Sequence, residues 1–244
     1  MAEIIELDNV SFFAQNRHIV KNFSHEFQEG KTTALVGPSG SGKSTVLKLS
    51  GGLLVPVEGE VRFRGKDVFD MNRKENLDFR REAAMVFQDS ALWANQNLFQ
   101  ILELPLKTHF ADMHPWEREN RIREVLKEVG YKRDLHIRPS QLSMGEQKLI
   151  AFARAMMCRP KLLFLDEWTE SLDESASIRL IRLVERHQRE QKTVIFVSHN
   201  FRIIKSLADF IIMIVEGQRN MEVSREQMER DNELARYIEK GIAS

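Results

Sequence analysis

The chain has 244 residues, of which 42% are apolar and 30% are charged, an ordinary composition for a globular protein. Its 36 basic residues balance its 36 acidic ones, so the net charge provides no general attraction to nucleic acid. We therefore expect no nucleic-acid partner. The length allows one well-buried core with a smaller subdomain.

Neither disulfides nor membrane spans are expected. The single cysteine, Cys158, lies in an apolar stretch, which predicts a small buried side chain in a reducing, cytosolic setting. The first six residues contain acid where a secretory signal would have base. The longest purely apolar run, 210–215, is far shorter than the ~20 residues that a membrane-spanning helix needs.

The first 88 residues predict mainly strands, and one helix that follows a glycine-rich turn. The predicted strands are 7–13, 25–27, 32–36, 60–63 and 83–87, and the predicted helix is 43–49. From 89 to 160 the pattern becomes helical. Apolar residues at helical spacing predict a helix over 115–130. Ser143, with Glu146 three residues on, predicts the capped start of a second helix that ends near residue 157.

Alternation of strands and helices returns after Pro160. The predicted strands are 162–165, 194–197 and 210–215, and the predicted helices are 174–188 and 200–208. Ile178, Ile181 and Val184 are expected on one face of the first of these helices. Because the strands are continuous apolar runs, they indicate a mainly parallel sheet covered on both faces. Residues after 218 predict a charged tail with one short helix near 233–239.

We predict an α/β fold with an N-terminal antiparallel β subdomain and an inserted α-helical subdomain. The expected division is 1–88 for the β subdomain and the first part of the core, 89–160 for the helical subdomain, 161–218 for the second part of the core, and 219–244 for the tail.

Residues 37–44 form a complete G-x-x-x-x-G-K-S phosphate loop, with a predicted strand before it and a predicted helix after it. Glycines let successive N–H groups approach phosphates, and Lys43 adds positive charge at a helix N-terminus. Ser44 offers a hydroxyl to Mg²⁺, and Thr45 a further hydrogen bond. The predicted nucleotide-binding residues are Gly37, Pro38, Ser39, Gly40, Ser41, Gly42, Lys43, Ser44 and Thr45. A glycine-rich turn formed by chance is a poorer interpretation in this context.

A pair of carboxylates, Asp166 and Glu167, follows the apolar run 162–165. Ligands of open α/β sheets bind at the carboxyl ends of the strands. Asp166 is therefore placed to reach Mg²⁺, directly or through water, and Glu167 to orient or deprotonate an attacking water. The alternative is an acidic pair that only ends a strand.

Three motifs in this order, the phosphate loop, the six residues 142–147 (Leu-Ser-Met-Gly-Glu-Gln) and Asp166-Glu167, resemble the ATP-binding cassette (ABC) family over residues 4–217. The resemblance implies a RecA-like P-loop core that binds ATP and Mg²⁺ and hydrolyses ATP. It also implies a homodimer around two ATP, a separate permease, and a peripheral position on the cytoplasmic face of the membrane. The residues implied to contact the partner's ATP are Ser143, Met144, Gly145, Glu146 and Gln147.

The same resemblance assigns further positions. Gln88 matches the Q-loop glutamine, which would contact Mg²⁺ or water, and His199 matches the switch histidine at the γ-phosphate. Ser171, Leu172 and Asp173 match the D-loop at the dimer interface, although Asp173 is equally suited to cap the helix that follows. Phe13 lies next to the position expected to stack on adenine, but it could equally alternate between core and surface along a strand.

Two residues depart from the family pattern. Met144 replaces a glycine, so its side chain must point away from phosphate. Trp168 stands where the family usually has proline, which is expected to alter the turn into the D-loop and the rate of hydrolysis.

Three weaker similarities bear on the cargo. The segment 86–93 with 104–106, the opening 10–12 with Asn16-Arg17, and the tail Arg236-Tyr237-Ile238 are similar to ATPases of Mla-type phospholipid trafficking. They favour a lipid cargo, with a lipid-binding or accessory subunit as a further partner. One alternative is a split-subunit transporter for amino acids or lipoproteins. Another is a non-transport ABC ATPase acting on nucleic acid or ribosomes, which the single cassette and zero net charge disfavour.

Overall fold

The structure, a computed structural model, describes residues 2–14 and 16–243. It divides into two compact units, one combining the residues up to Asn76 with those from Gln188 onward, and the other being Leu77–His187. We call them the first and the second unit. In the described part of the chain, no helix is both long enough and apolar enough to cross a bilayer.

The elements are numbered in chain order. The strands are β1 Glu3–Ala14, β2 Arg17–Gln28, β3 Thr32–Val36, β4 Glu58–Phe63, β5 Lys66–Asp67, β6 Ala83–Val86, β7 Leu162–Asp166, β8 Thr193–Val197, β9 Phe210–Val215 and β10 Gln218–Ser224. The helices are α1 Lys43–Ser50, α2 Arg73–Glu82, α3 Leu98–His109, α4 Pro115–Val129, α5 Met144–Met156, α6 Glu174–Arg189, α7 Phe201–Leu207, α8 Arg225–Arg230 and α9 Asn232–Ala243. A 3-10 turn spans Pro139–Gln141.

The first unit contains an antiparallel sheet in the order β2-β1-β4-β5 and a second group of strands in the order β10-β9-β3-β8. In the second group, β3 pairs in parallel with both β8 and β9, while β10 pairs antiparallel with β9. Every residue of β3 and β8 is buried, as expected for strands covered on both faces.

The second unit pairs β6 in parallel with β7 and packs α3, α4 and α5 against one another. Helix α4 buries Ile122, Val125, Leu126 and Val129. Their spacing is the one that predicts this helix. The predicted α/β fold, with parallel strands, an antiparallel β subdomain and inserted helices, is confirmed.

The three residues predicted to share one face of α6 differ in burial. Ile178 is exposed and Ile181 is half-buried, whereas the buried positions are Ala176, Leu180, Leu183, Val184 and His187. Successive steps of three residues rotate by about 60° off a fixed line on an α-helix, so residues 178, 181 and 184 drift across the surface. Steps alternating between three and four residues stay on one face, and the buried set follows them.

The residues after 218 hold more regular structure than one short helix. Strand β10 pairs along β9, and α8 and α9 follow it. Ile238 and Ile242 are buried on one face of α9. Their i,i+4 spacing is the sequence signal for a longer packed helix, masked by the charged residues between them.

Residues 98–109 carry no predicted element, yet they form α3 around an internal proline, Pro105. Proline argues against a helix interior because it lacks an N–H and crowds the preceding turn. Here Asn97 and Gln100 form a capping box that secures the start of the helix, and the apolar face packs on α4 and α5. Packing outweighs the local penalty.

Candidate nucleotide site

The backbone of the phosphate loop has room only for glycine at two positions. A Cβ at Gly37, where φ is 141°, would lie 2.1 Å from the carbonyl oxygen of Ile214. A Cβ at Gly42, the N-cap of α1 with φ 99°, would lie 2.7 Å from the carbonyl oxygen of Ile19. The close approach of neighbouring strands thus explains why the loop between β3 and α1 needs glycine at these points.

Lys43 is buried at the start of α1, and its Nζ donates to the carbonyl oxygens of Gly37 (2.8 Å) and Pro38 (2.7 Å). Both acceptors belong to the phosphate loop, so the ammonium lies within it. The hydroxyl of Ser41 is buried and has no hydrogen-bond partner among the described residues. A buried hydroxyl without a partner is costly, and a phosphate oxygen would satisfy it. The loop therefore fits the anion that its sequence predicts.

Strand register places His199 at the same edge as the phosphate loop. Leu35 of β3 pairs with Val197 of β8, and Gly37 and His199 each follow two residues later. His199 is exposed, and its Nδ1 lies 3.4 Å from the carbonyl oxygen of Ile242 in α9. The C-terminal helix therefore contacts the predicted switch histidine.

Phe13 is an exposed side chain next to the last residue of β1. Its ring meets the ring of His18 edge-on, with centroids 4.8 Å apart. An exposed aromatic face is compatible with stacking on adenine, and this role stays a prediction.

The second unit brings Gln88 and the carboxylate pair to one strand edge. Val86 of β6 pairs with Leu165 of β7, and both Gln88 and Glu167 follow two residues later. Asp166 and Glu167 are buried. The side chain of Gln88 donates from Nε2 to Oε2 of Glu170 (3.2 Å), in the turn closed by the backbone hydrogen bond from Glu170 to Glu167.

Trp168 is fully buried directly after Glu167, and its ring lies 5.9 Å from that of Phe152 in α5. The indole N–H has no hydrogen-bond partner among the described residues. Glu167 itself has φ 41°, a left-handed conformation that is unusual for a non-glycine residue. The turn after Asp166 and Glu167 is therefore anchored by an aromatic side chain that packs on α5.

Residues 142–147, which we call the signature motif, lie at the capped start of α5, which we call the signature helix. Ser143 Oγ accepts from the backbone N–H of Glu146, and the Glu146 carboxylate accepts from the N–H of Ser143, so the predicted capping is confirmed. These bonds and Arg133, which donates to the same carboxylate, hold the pKa of Glu146 below its usual range. The Met144 side chain is 71% exposed, and Gln147 donates to the carbonyl oxygens of Pro139 and Leu142.

The D-loop lies against the signature helix. A Cβ at Gly145 would be 2.8 Å from the carbonyl oxygen of Ser171, which has φ 64°. Asp173 Oδ1 accepts from the Ser175 hydroxyl (2.7 Å) and the Ala176 N–H (2.9 Å), so it does cap α6. The Ser175 hydroxyl is the main reason that the pKa of Asp173 is lowered. The contact of the D-loop residues with a partner subunit stays a prediction.

The donor set fits Mg²⁺ by chemical type. No cluster of three His, Cys, Asp or Glu side chains in the described residues is arranged to hold a metal. Mg²⁺ at nucleotide sites needs few protein ligands, because waters and substrate phosphates complete its octahedron. The Ser44 hydroxyl, the Asp166 carboxylate and the Gln88 amide oxygen are hard oxygen donors of the kind it prefers.

Two charged residues of the second unit carry no sequence-based assignment. Lys148 is buried beside Gln88, and Glu170 accepts the side chain of Gln88. A lysine within an otherwise apolar stretch of helix is the only sequence signal for the first of these contacts.

Comparison with known proteins places the chain in a family. Residues 20–170 match the family model described as ABC transporter. The chain is 32% identical over 236 residues to the intermembrane phospholipid transport system ATP-binding protein MlaF of Haemophilus influenzae, covering 95% of this chain and 88% of that protein. It is also 35% identical over 208 residues to the nickel import ATP-binding protein NikE of Shigella flexneri, covering 84% and 77%.

A solved structure of a dimeric ATP-binding cassette in a post-hydrolysis state, bound to ADP and Pi, superimposes with a TM-score of 0.83 at 30% identity, covering 91% of this chain and 99% of that one. The chain belongs to the ABC transporter family. It is an ATP-binding cassette, the ATPase subunit of a transporter. The relatives carry phospholipid and nickel in their names, so membership alone leaves the cargo open.

Proposed function

We propose that two copies of this chain close around two ATP molecules and use hydrolysis to drive a separate permease that moves phospholipid. The strongest support for the dimer comes from the geometry at the start of α5. Its capping box is intact, and the neighbouring Met144 side chain is 71% exposed. A helix N-terminus attracts phosphate through its N–H groups and dipole. Ser143 and Gly145 are therefore suited to the γ-phosphate of a nucleotide held by the partner.

Each unit contributes its own part of the chemistry. The phosphate loop, residues 37–45, binds the phosphates, and Ser44, Asp166 and Gln88 provide oxygen ligands for Mg²⁺. Mg²⁺, when bound, neutralises charge on the phosphates. Glu167 orients or deprotonates the attacking water, and His199 donates to the γ-phosphate. Phe13 supports the adenine ring.

The dimer is tested by removing the water-activating carboxylate. Glu167→Gln spares the phosphate loop, so ATP binding should persist while hydrolysis falls by about 10²-fold or more. The variant should accumulate as an ATP-dependent dimer in size-exclusion chromatography. Lys43→Ala, which weakens phosphate binding itself, is the comparison that should form no such dimer. Wild-type hydrolysis by Glu167→Gln would contradict the role of Glu167.

For the permease contact, the supporting feature is Trp93. Its ring is 44% exposed, and the Arg154 guanidinium lies 5.3 Å from the ring centroid. The same guanidinium donates to the backbone carbonyl oxygens of Ala91 and Ser90, which fixes the cation beside the ring. We propose that the segment 88–106 receives a cytoplasmic helix of the permease, which places the subunit peripherally on the cytoplasmic face of the membrane.

Trp93→Glu should abolish stimulation of the ATPase by the permease and leave the basal rate unchanged. The matched control is Trp116→Glu, because Trp116 is 58% exposed on α4 of the same unit but lies outside the segment. The measurement is ATPase activity with and without permease in membrane mimics. Equal stimulation of both variants would count against this docking segment.

Phospholipid is favoured as cargo by the motif similarities and by the match to MlaF, which extends over 95% of this chain. A lipid-binding or accessory subunit is part of this proposal. Cells lacking the protein should show altered phospholipid distribution between membranes and greater sensitivity to detergent. Normal lipid distribution with impaired uptake of nickel, an amino acid or another small solute would overturn the lipid assignment and leave the ATPase unaffected.

A further inference from the structure

Two cations of α5, the buried Lys148 and the half-buried Arg154, hold the backbone of residues 87–91, which we call the Q-loop. The Nζ of Lys148 donates to the carbonyl oxygens of Phe87 (3.3 Å) and Gln88 (2.5 Å). The guanidinium of Arg154 donates to those of Ala91 (2.6 Å) and Ser90 (3.2 Å). Four carbonyl groups of a five-residue segment are thus tied to one helix.

This segment needs such support because its backbone is unusual. Ser90 and Ala91 have φ values of 63° and 43°. Left-handed conformations of non-glycine residues persist only where surrounding contacts compensate for their cost. Hydrogen bonds from charged donors are about twice as strong as neutral ones, which makes α5 an effective support.

Lys148 is the unusual member of the pair because it is 3% exposed. Burial lowers the pKa of its ammonium, while Glu170, Asp166, Asp89 and Glu167 favour the charged form. A buried ammonium is costly unless it is hydrogen-bonded, and the two carbonyl oxygens meet that need. The lysine therefore brings a buried amino group to the backbone of the Q-loop, near the carboxylates of Asp166, Glu167 and Glu170.

The hydrogen bonds of Lys148 connect the start of α5, which is predicted to bind the partner's ATP, with the predicted catalytic residue Gln88. Lys148 lies five residues after Ser143 on the same helix, a rise of about 7.5 Å. Lys148 donates to the carbonyl oxygen of Gln88, and the Gln88 side chain donates to Glu170 in the turn that follows Glu167. If α5 moves as a rigid body when a nucleotide binds at its N-terminus, the hydrogen bonds from Lys148 will move the backbone of Gln88 with it.

We propose that Lys148 is a positioning residue for ATP hydrolysis, which fixes the backbone of Gln88 and transmits movement of the signature helix to it. This role rests on the proposed functions of Gln88 and Ser143. In this role, Lys148 contacts neither the nucleotide nor the attacking water. Its effect appears only in the rate of hydrolysis and only through Gln88.

The test replaces Lys148 with methionine, whose side chain is similar in size but has no ammonium group. Lys148→Met should lower kcat by about ten-fold or more, while KM and the affinity for ATP stay within about two-fold of the wild type. Lys148→Arg, which keeps a cation and its donors, should recover much of the rate. Lys107→Met, an exposed lysine of α3 in the same unit, is the matched control and should leave both parameters unchanged.

A double-mutant cycle separates positioning from simple loss of packing. In a Gln88→Ala background, Lys148→Met should cost much less in kcat than it does alone, because the residue it positions has been removed. Equal losses in both backgrounds, or an unchanged kcat for Lys148→Met, would overturn the proposal. If Lys148→Met unfolds, Lys148→Gln, which is shorter and lacks the positive charge, takes its place in the cycle, and its loss in kcat should likewise be much smaller in the Gln88→Ala background.

The parallel assay of Glu167→Gln keeps this inference distinct from the proposed function. Loss of hydrolysis in Glu167→Gln with full activity in Lys148→Met overturns only the role of Lys148. Full activity in Glu167→Gln overturns the proposed catalytic residue, whatever the result for Lys148→Met.

Discussion

At the scale of single residues, Gly145 shows how little space separates the signature helix from the D-loop. Its α-carbon faces the carbonyl oxygen of Ser171, and a methyl group there would come within 2.8 Å of that oxygen. Real Cβ atoms essentially never approach a backbone oxygen so closely, so either the helix or the D-loop must move. The glycine therefore serves the packing of its own chain as well as the implied contact with a partner's phosphate.

Gly145→Ala should reduce hydrolysis by about ten-fold while ATP binding by the monomer is retained, since the methyl displaces Ser171 and not the phosphate loop. Steady-state ATPase rates and a fluorescent-nucleotide titration measure the two effects. Asn120→Ala, at an exposed position of α4 in the same unit, is the control for a neutral substitution. An unchanged rate would show that the D-loop tolerates the shift.

Residue roles were predictable where the backbone demanded a residue type. Gly37 and Gly42 belong to a motif whose spacing reflects close contacts of main chain, and the capping box of Ser143 and Glu146 is local in sequence. Lys148 was not predictable because its acceptors lie about 60 residues away in the chain. Burial of Trp168 against Phe152 depends on tertiary packing in the same way.

At the scale of elements, α9 is a packed helix and not a loose tail. Ile238 and Ile242 are buried, and a Cβ at Gly241 would lie 2.9 Å from the Cε of Met213 in β9. The helix lies close enough to the first unit's strands that its last turn reaches His199. Substitutions of the buried residues of α9 should therefore show how much its packing contributes to the free energy of unfolding.

Ile238→Ala should lower the free energy of unfolding by about 2–4 kcal/mol, because it removes a fully buried side chain and leaves a cavity. Tyr237→Ala, one residue earlier and exposed, should change it by no more than about 0.5 kcal/mol. Chemical denaturation of both variants gives the comparison. Equal stabilities would mean that α9 is detached from the first unit in solution.

Elements were predictable where the apolar period was regular. The strands β3, β7, β8 and β9 are short apolar runs, and α4 repeats its apolar residues at helical spacing. The long hairpin β1–β2 was only partly predicted, since register shifts along it interrupt the alternation of apolar and polar residues. Helices α2 and α3 were missed because charge in the first and Pro105 in the second obscure the period.

For the molecule as a whole, His25 makes stability depend on pH. It is buried on β2, 3.5 Å from Arg219 of β10, and its ring meets Phe27 edge-on. Burial, followed by the charge of Arg219, lowers the pKa of His25 from 6.5 to about 4. Glu222 lies 3.8 Å away but is itself paired with Arg219 at 3.3 Å, so it does not reverse the shift.

Because the folded pKa is depressed, this contribution to stability is fully present above pH 6.5 and is lost as pH falls towards 4. Between pH 7.5 and pH 5.0, the free energy of unfolding of the wild type should decrease by about 2 kcal/mol more than that of His25→Phe, which cannot titrate. Urea denaturation at the two pH values measures this difference. Parallel pH dependence of the two proteins would mean that the pKa of His25 is the same in the folded and the unfolded chain.

The three tryptophans, Trp93, Trp116 and Trp168, all belong to the second unit, whereas the phosphate loop belongs to the first. Tryptophan fluorescence therefore reports on the second unit, whereas the residues predicted to bind phosphate belong to the first. Trp168 is shielded from solvent, and the other two are open to aqueous quenchers. In a chain carrying Trp93→Phe and Trp116→Phe, all tryptophan emission comes from Trp168, so a change in it on adding ATP is a signal from the residue next to Glu167. Trp168 is thus a built-in fluorescent probe of the turn that follows β7.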